Sequence, residues 1–167
     1  MKRIFCLILA ISLLFLLPGC KDKEEPILEP VNFYYRNAEI SFDSSNGLIS
    51  AQVTESAGYD RKFLDIINFY LKGPIQDHYN RTFPTGTQAL SLEFIGANAQ
   101  VVVTNDFARL SGIDLSIACA CLSMTVMELT SSSSVTIRAE STTLGGNDSI
   151  TMGIDNILLF DDSYPYQ

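Results

Sequence analysis

With 167 residues, 47% of them hydrophobic, the chain has the length and apolar content for one domain with an ordinary buried core. It carries 19 acidic against 11 basic side chains, a net charge of −8 at neutral pH. Such a surface is repelled by nucleic acid and by anionic membrane, which sets both aside as electrostatic partners and leaves the acidity as an aid to solubility.

The first nineteen residues are not read as part of the fold. Lys2 and Arg3 precede Ile4–Leu17, a nearly unbroken apolar run of 14 residues. That run is short of the ~20 residues a helix needs to cross a bilayer core, and it suits a secretory signal. It ends in Leu17-Pro18-Gly19-Cys20. This resembles the bacterial lipoprotein box, in which the cysteine after a small residue is acylated on its thiol and becomes the mature N-terminus. An ordinary cleaved signal and an uncleaved anchor are the other two readings. Under the lipoprotein reading, residues 1–19 are a signal peptide, residues 20–30 a lipidated cysteine with a flexible tether, and residues 31–167 a single domain. Loss of Lys2 and Arg3 takes the net charge from −8 to −10, so membrane contact falls to the lipid on Cys20. The tether, KDKEEPILEP over Lys21–Pro30, is charged and holds two prolines, as an extended spacer does.

Val31–Arg36, rich in β-branched and aromatic residues, predicts the first strand. Asp43–Gly47 reads as a turn into a second extended segment, Leu48–Thr54. A helix follows over roughly Tyr59–Lys72. Phe63, Leu64, Ile67, Tyr70 and Leu71 share one face, and Lys62, Asp65, Asn68 and Lys72 share the other. Each large apolar side chain on that stripe contributes roughly 1.5–3 kcal/mol when buried. Gly73 and Pro74 end the helix, since glycine accepts the left-handed cap and proline cannot extend the ladder. After a polar loop, Pro84-Thr85-Gly86-Thr87 has turn chemistry and leads into the strand Gln88–Ile95, where Leu90, Leu92 and Phe94 alternate with Ser91 and Glu93. Gly96-Ala97-Asn98 is short enough for a hairpin into Ala99–Thr104.

The second helix, about Gly112–Thr130, carries Leu115, Ala118, Cys119, Leu122, Val126 and Leu129 on one stripe. Its back, with Ile117, Ala120, Cys121, Met124 and Met127, is apolar too, so the helix must be covered on both sides. Two covers are open: the C-terminal segment through Ile150, Ile154 and Leu158, or a subunit interface through Ile117, Cys121, Met124 and Met127. Val135, Ile137 and Ala139 alternate with Thr136, Arg138 and Glu140 in the next strand, and Ser149–Phe160 adds one or two short ones. The order β-α-β-β-α-β predicts an α+β fold, with two helices on one face of a mixed three- to four-stranded sheet and short extra strands beside it. On the polar face, Glu93 and Arg138 would pair if their strands were neighbours.

Little in the chain points to chemistry. His78 stands alone in a polar loop, with no second histidine or cysteine at ligand spacing, and no nucleophile elbow accompanies it. Cys119 and Cys121 point about 200° apart on a helix, which prevents them from bonding each other or chelating one metal. The acidic pairs Asp60/Asp65, Asp106/Asp114 and Asp161/Asp162 lack the calcium-loop pattern. No catalytic residue, metal site or cofactor is assigned.

Taken in order, Leu71-Lys72-Gly73-Pro74, then Pro84, Gly86 and Thr87, then Val103–Phe107 after the hairpin, then Thr125 and Val126 before Val135 and Ile137, resemble the GerMN domain of bacterial sporulation and spore-germination lipoproteins. The likeness runs from about Val31 to the end. It implies a fold akin to the ring-building motif, no catalytic residues, and protein–protein contact or self-association in envelope complexes. The Leu17–Cys20 motif, for its part, implies a lipid-anchored place on the extracytoplasmic side of the cell membrane. In that reading Leu71, Gly73, Pro74, Pro84, Gly86, Thr87 and Thr125 are structural. The alternative is an envelope lipoprotein that binds a ligand such as a peptidoglycan fragment, which a concave pocket lined by Tyr34, Tyr35 or Tyr79 would favour.

Overall fold

The computed structural model describes residues 30–38, 49–55 and 62–157. Residues 1–19 read as a signal peptide, Cys20, nearly all of the expected tether, the expected Asp43–Gly47 turn and everything from Leu158 onward lie outside them. The elements are β1 (Pro30–Asn37), β2 (Ile49–Glu55), α1 (Phe63–Tyr70), β3 (Tyr79–Asn80), β4 (Ala89–Ile95), β5 (Asn98–Val103), α2 (Gly112–Thr130), β6 (Ser134–Ala139) and β7 (Ile150–Gly153). The class is α+β, as expected. The residues that end α1 do so as predicted: Gly73 takes φ +109° and donates its N–H to the Tyr70 carbonyl.

The strands form two sheets rather than one. The first, β2-β1-β3, is antiparallel, with Tyr34 opposite Ala51 and Arg36 opposite Asn80. The second, β4-β5-β6-β7, is mixed: β4 and β5 are a hairpin, β5 and β6 run parallel, and α2 is their crossover. The sheets stay separate because β1 finds a different partner along its second edge. There the Tyr34 N–H donates to the Thr125 hydroxyl of α2 at 3.0 Å, the Arg36 N–H to the Thr82 hydroxyl at 3.1 Å and the Ala38 N–H to the His78 carbonyl at 2.9 Å. Two side-chain hydroxyls thus stand in for a strand, and the Tyr34 and Arg36 donors are satisfied without further pairing.

This arrangement explains the all-round apolarity of α2. The helix packs against β1 of the first sheet and against β5, β6 and β7 of the second. Ile117, Cys121 and Met127 are therefore buried in the core of their own chain, which corrects their reading as a subunit interface. Met124 is only half-buried. The cover comes mainly from β1. Of the C-terminal residues expected to supply it, Ile150 packs on the core, Ile154 is 64% exposed and Leu158 lies outside the described residues.

The strand β4 departs further from expectation. Its register slips between Ala89 and Ser91: Leu90, at the slip, is 42% exposed, and beyond it Leu92 packs half-buried on the core while Phe94 is 51% and Ile95 62% exposed. The reason is reach. At 1.5 Å per residue the eight residues of α1 span about 12 Å. Asn68 anchors the helix at the near end of β4, donating to the Ala89 carbonyl and accepting the Ala89 N–H. Phe94, on the same face as Leu92, lies about 17 Å farther along an extended strand, and Ile95 points to the opposite face. Glu93 and Arg138 do not pair, because β5 separates their strands.

At the end of α2, Ser131 caps the helix at φ 57°, the one non-glycine residue with positive φ among those described. Glycine carries no Cβ penalty there. Ser131→Gly is expected to stabilise the domain by about 0.5 kcal/mol, read as a higher urea midpoint at unchanged slope.

Candidate functional site

The motif residues at the end of α1 and in the Pro84–Thr87 turn come together in space. They form one pocket of about 400 Å³, walled by Leu71 and Pro84 and bordered by Lys72, Arg81, Thr85 and Thr87. The turn is a tight one, with the Thr87 N–H donating to the Pro84 carbonyl at 3.2 Å. Thr104, at the end of β5, holds it down: its hydroxyl donates to the Gly86 carbonyl and accepts the Gln88 N–H, each at 3.1 Å. Gly86 sits at φ +95°, and a Cβ there would meet the Asp106 carboxylate at 2.8 Å. Only glycine allows that approach. Asp106 is itself paired with Arg109 at 2.8 Å.

Arg81 ties the two sides of the pocket together. Its Nη1 donates to the Thr85 hydroxyl at 2.8 Å and its Nη2 to the Lys72 carbonyl at 3.3 Å, covering a carbonyl at the end of α1. A Cβ on Gly73 would lie 3.7 Å from Arg81 Nε, an ordinary contact, so its φ of +109° rather than space is what calls for glycine there. Among the described residues neither Lys72 nor Arg81 has a carboxylate within ion-pair distance. The Thr87 side-chain oxygen is buried with no hydrogen-bond partner, and the residue as a whole is 6% exposed. Gly73 and Pro74 do not line the pocket, and Thr125 serves elsewhere, on the β1 edge. Lys72 and Arg81 were not singled out in the sequence. Lys72 lies within the Leu71–Pro74 motif and was legible there, whereas Arg81 falls in a loop without periodicity.

The tyrosines expected to line a pocket diverge. Tyr35 is buried and donates to the Tyr70 carbonyl, and Tyr79 donates to the Ala51 carbonyl. Tyr34 alone borders a groove of about 340 Å³, beside Met124, Met127 and Ile154, with its hydroxyl donating to Glu128 at 2.8 Å. Burial, then the Glu128 carboxylate, pushes the Tyr34 phenol up to about 12. His78 is exposed, and its carbonyl rather than its ring supports the β1 edge. Cys119 and Cys121 are free and buried. Burial pushes the Cys119 thiol up to about 12, and burial raises Cys121, Tyr35 and Tyr70 well above their ordinary ranges. A thiol so placed is not a nucleophile at neutral pH.

No protein-family model matches the sequence, and no curated protein does. Among solved structures, the first GerMN domain of the sporulation protein GerM from Bacillus subtilis aligns over 77% of this chain and 95% of its own. The TM-score is 0.53 and the identity 14%. The fold is GerMN-like. A crystal structure of a Clostridium perfringens protein, assigned by name to the lipoproteins, aligns over 77% of this chain and 89% of its own at 18% identity. Its TM-score of 0.45 is too low to bear on the fold.

The raised thiol and phenol values give the GerMN-like domain an alkaline limit. The folded state favours the neutral form of Cys119, while the unfolded chain ionises it from its ordinary value of 9.0. Stability is therefore level below pH 9 and falls as pH rises toward 12, with Cys119 alone removing about 1.4 kcal/mol by pH 10. Urea titrations at pH 8, 9 and 10 are expected to show that fall, and a flat profile would contradict it.

Proposed function

We propose that the protein is a non-enzymatic, membrane-tethered domain of the bacterial cell envelope, held by lipid at Cys20 on the extracytoplasmic side. It acts by contact with other envelope proteins or with copies of itself, in a role related to sporulation or spore germination. The GerMN-like fold supports the sporulation link, since the neighbouring domain belongs to a protein of that name. The Leu17–Cys20 motif supports the tether. Buried, uncharged thiols and an isolated exposed histidine support a role without catalysis.

The observation that carries the contact reading is the outer strand β4. It is the edge of its sheet, and it exposes Leu90 at the register slip, Phe94 beyond the reach of α1 and Ile95 on the opposite face. An edge strand with open main-chain groups and large apolar side chains is suited to an extended segment of a partner protein. A second reading, as a ligand-binding envelope lipoprotein, is favoured by the pocket at Lys72 and Arg81.

Two measurements on the full chain in bacterial cells test the proposal. Cys20→Ala is expected to move the protein from the membrane fraction to the soluble one, and a wild-type chain already soluble would sink the tether. A photo-crosslinking residue at position 94 is expected to give a discrete protein adduct that Ile95→Lys abolishes. A chain that gives no adduct would rule out contact through β4.

A further inference from the structure

We propose that the pocket between the end of α1 and the Pro84–Thr87 turn binds the carboxylate of a small organic acid or of a peptide chain end, gripped by Arg81 and Lys72. This goes beyond contact through β4 and stands without it.

The charge distribution is the first ground. The chain is acidic overall, at −8, yet the pocket is bordered by two cations and by no aspartate or glutamate. Among the described residues neither cation is neutralised by a carboxylate, and the nearest acid of the turn, Asp106, lies behind Gly86 and is paired with Arg109. Arg81 is preorganised: its hydrogen bonds to Thr85 and to the Lys72 carbonyl hold the guanidinium across the pocket mouth. A fixed guanidinium loses little freedom on binding and presents its remaining donors in a planar fork, the geometry carboxylates match.

The second ground is independent of charge. A buried hydroxyl without a partner is uncommon, because leaving it unmade is costly. Thr87 has one at this pocket, in a turn whose neighbouring polar groups are bonded to Thr104. The oxygen has no accessible surface as the turn stands, so a ligand oxygen would satisfy it only once the side chains over it move aside.

The local field and the walls decide the class of anion. The pocket lies at the carbonyl end of α1, where the helix field opposes negative charge, and no row of free main-chain N–H groups offsets it. A dianionic phosphate is poorly served there, whereas a single carboxylate is matched by two cations. Leu71 and Pro84 add apolar walls for a short aliphatic stem, the mixture small-molecule sites use.

The test is isothermal titration of the full chain in detergent with propionate, N-acetyl-alanyl-alanine, the C-terminal amide of that dipeptide, and inorganic phosphate. Saturable binding of at least one of the two acids is expected, with the amide and phosphate at least tenfold weaker. The tighter of the two acids identifies the source. Arg81→Gln is expected to weaken binding tenfold or more. Lys72→Gln should weaken it about threefold at unchanged Tm, because the Lys72 side chain has no bonded partner among the described residues. Thr87→Val should weaken binding while leaving Tm equal or higher, an outcome a purely structural threonine would not give. Equal binding of the amide, tighter binding of phosphate, absence of saturable binding, or full affinity in Lys72→Gln would overturn the proposal.

Discussion

The architecture depends on one hydrogen bond between a strand and a helix. The Tyr34 N–H of β1 would ordinarily seek a carbonyl on a neighbouring strand, and the Thr125 hydroxyl of α2 takes it instead. Thr125 is fully buried, so its hydroxyl needs a partner as much as the strand does. Removing the hydroxyl leaves the Tyr34 N–H without its acceptor. This bond brings α2 alongside β1, ends the first sheet there and fixes the face that α2 turns to the second sheet. Asn32 and Tyr34 donate to Glu128, and Arg36 pairs with Asp114 at 2.8 Å, extending the same seam along three turns or more of helix.

Below the seam the core is aromatic. Tyr70 of α1 lies 5.0–5.2 Å from Phe33, Tyr35 and Phe83, and Phe83 stacks on Phe107 at 6.2 Å. The Tyr70 hydroxyl donates to the Tyr34 carbonyl while its own carbonyl accepts from Tyr35. These rings join β1, α1 and the Pro84–Thr87 turn into one body, which places the end of α1 beside that turn and so forms the Lys72–Arg81 pocket.

Much of this was legible from the sequence where a local rule applied. The 3.6-residue stripe placed Ile67, Tyr70 and Leu71 in the core, although Phe63 at its start is 43% exposed and Leu64 only half-buried; Gly73 and Pro74 stopped α1, and the hairpin turn joined β4 to β5. What could not be read were choices made between distant segments. Periodicity marks β1 as a strand but not which neighbour it pairs with, so two sheets were anticipated as one. Alternation in β4 promised a buried row, while the length of α1 and the slip at Ala89 decided how much of it was covered. The back of α2 correctly demanded a cover, but its source was β1, some 90 residues away in the chain. The pocket was half visible: its walls lay in motif residues, while Arg81 sat in a loop that no periodic pattern describes.

The position of β1 also has a mechanical meaning. It is the first described element, it begins at Pro30, and it lies inside its sheet, bonded to β2 along one edge and to β3, Thr125, Thr82 and His78 along the other. A pull on the chain from its N-terminal side runs parallel to the strand, so these bonds are loaded together in shear rather than opened one at a time like a zipper. The domain would hold fast against tension applied at its N-terminal end, the end that the proposed lipid tether would load.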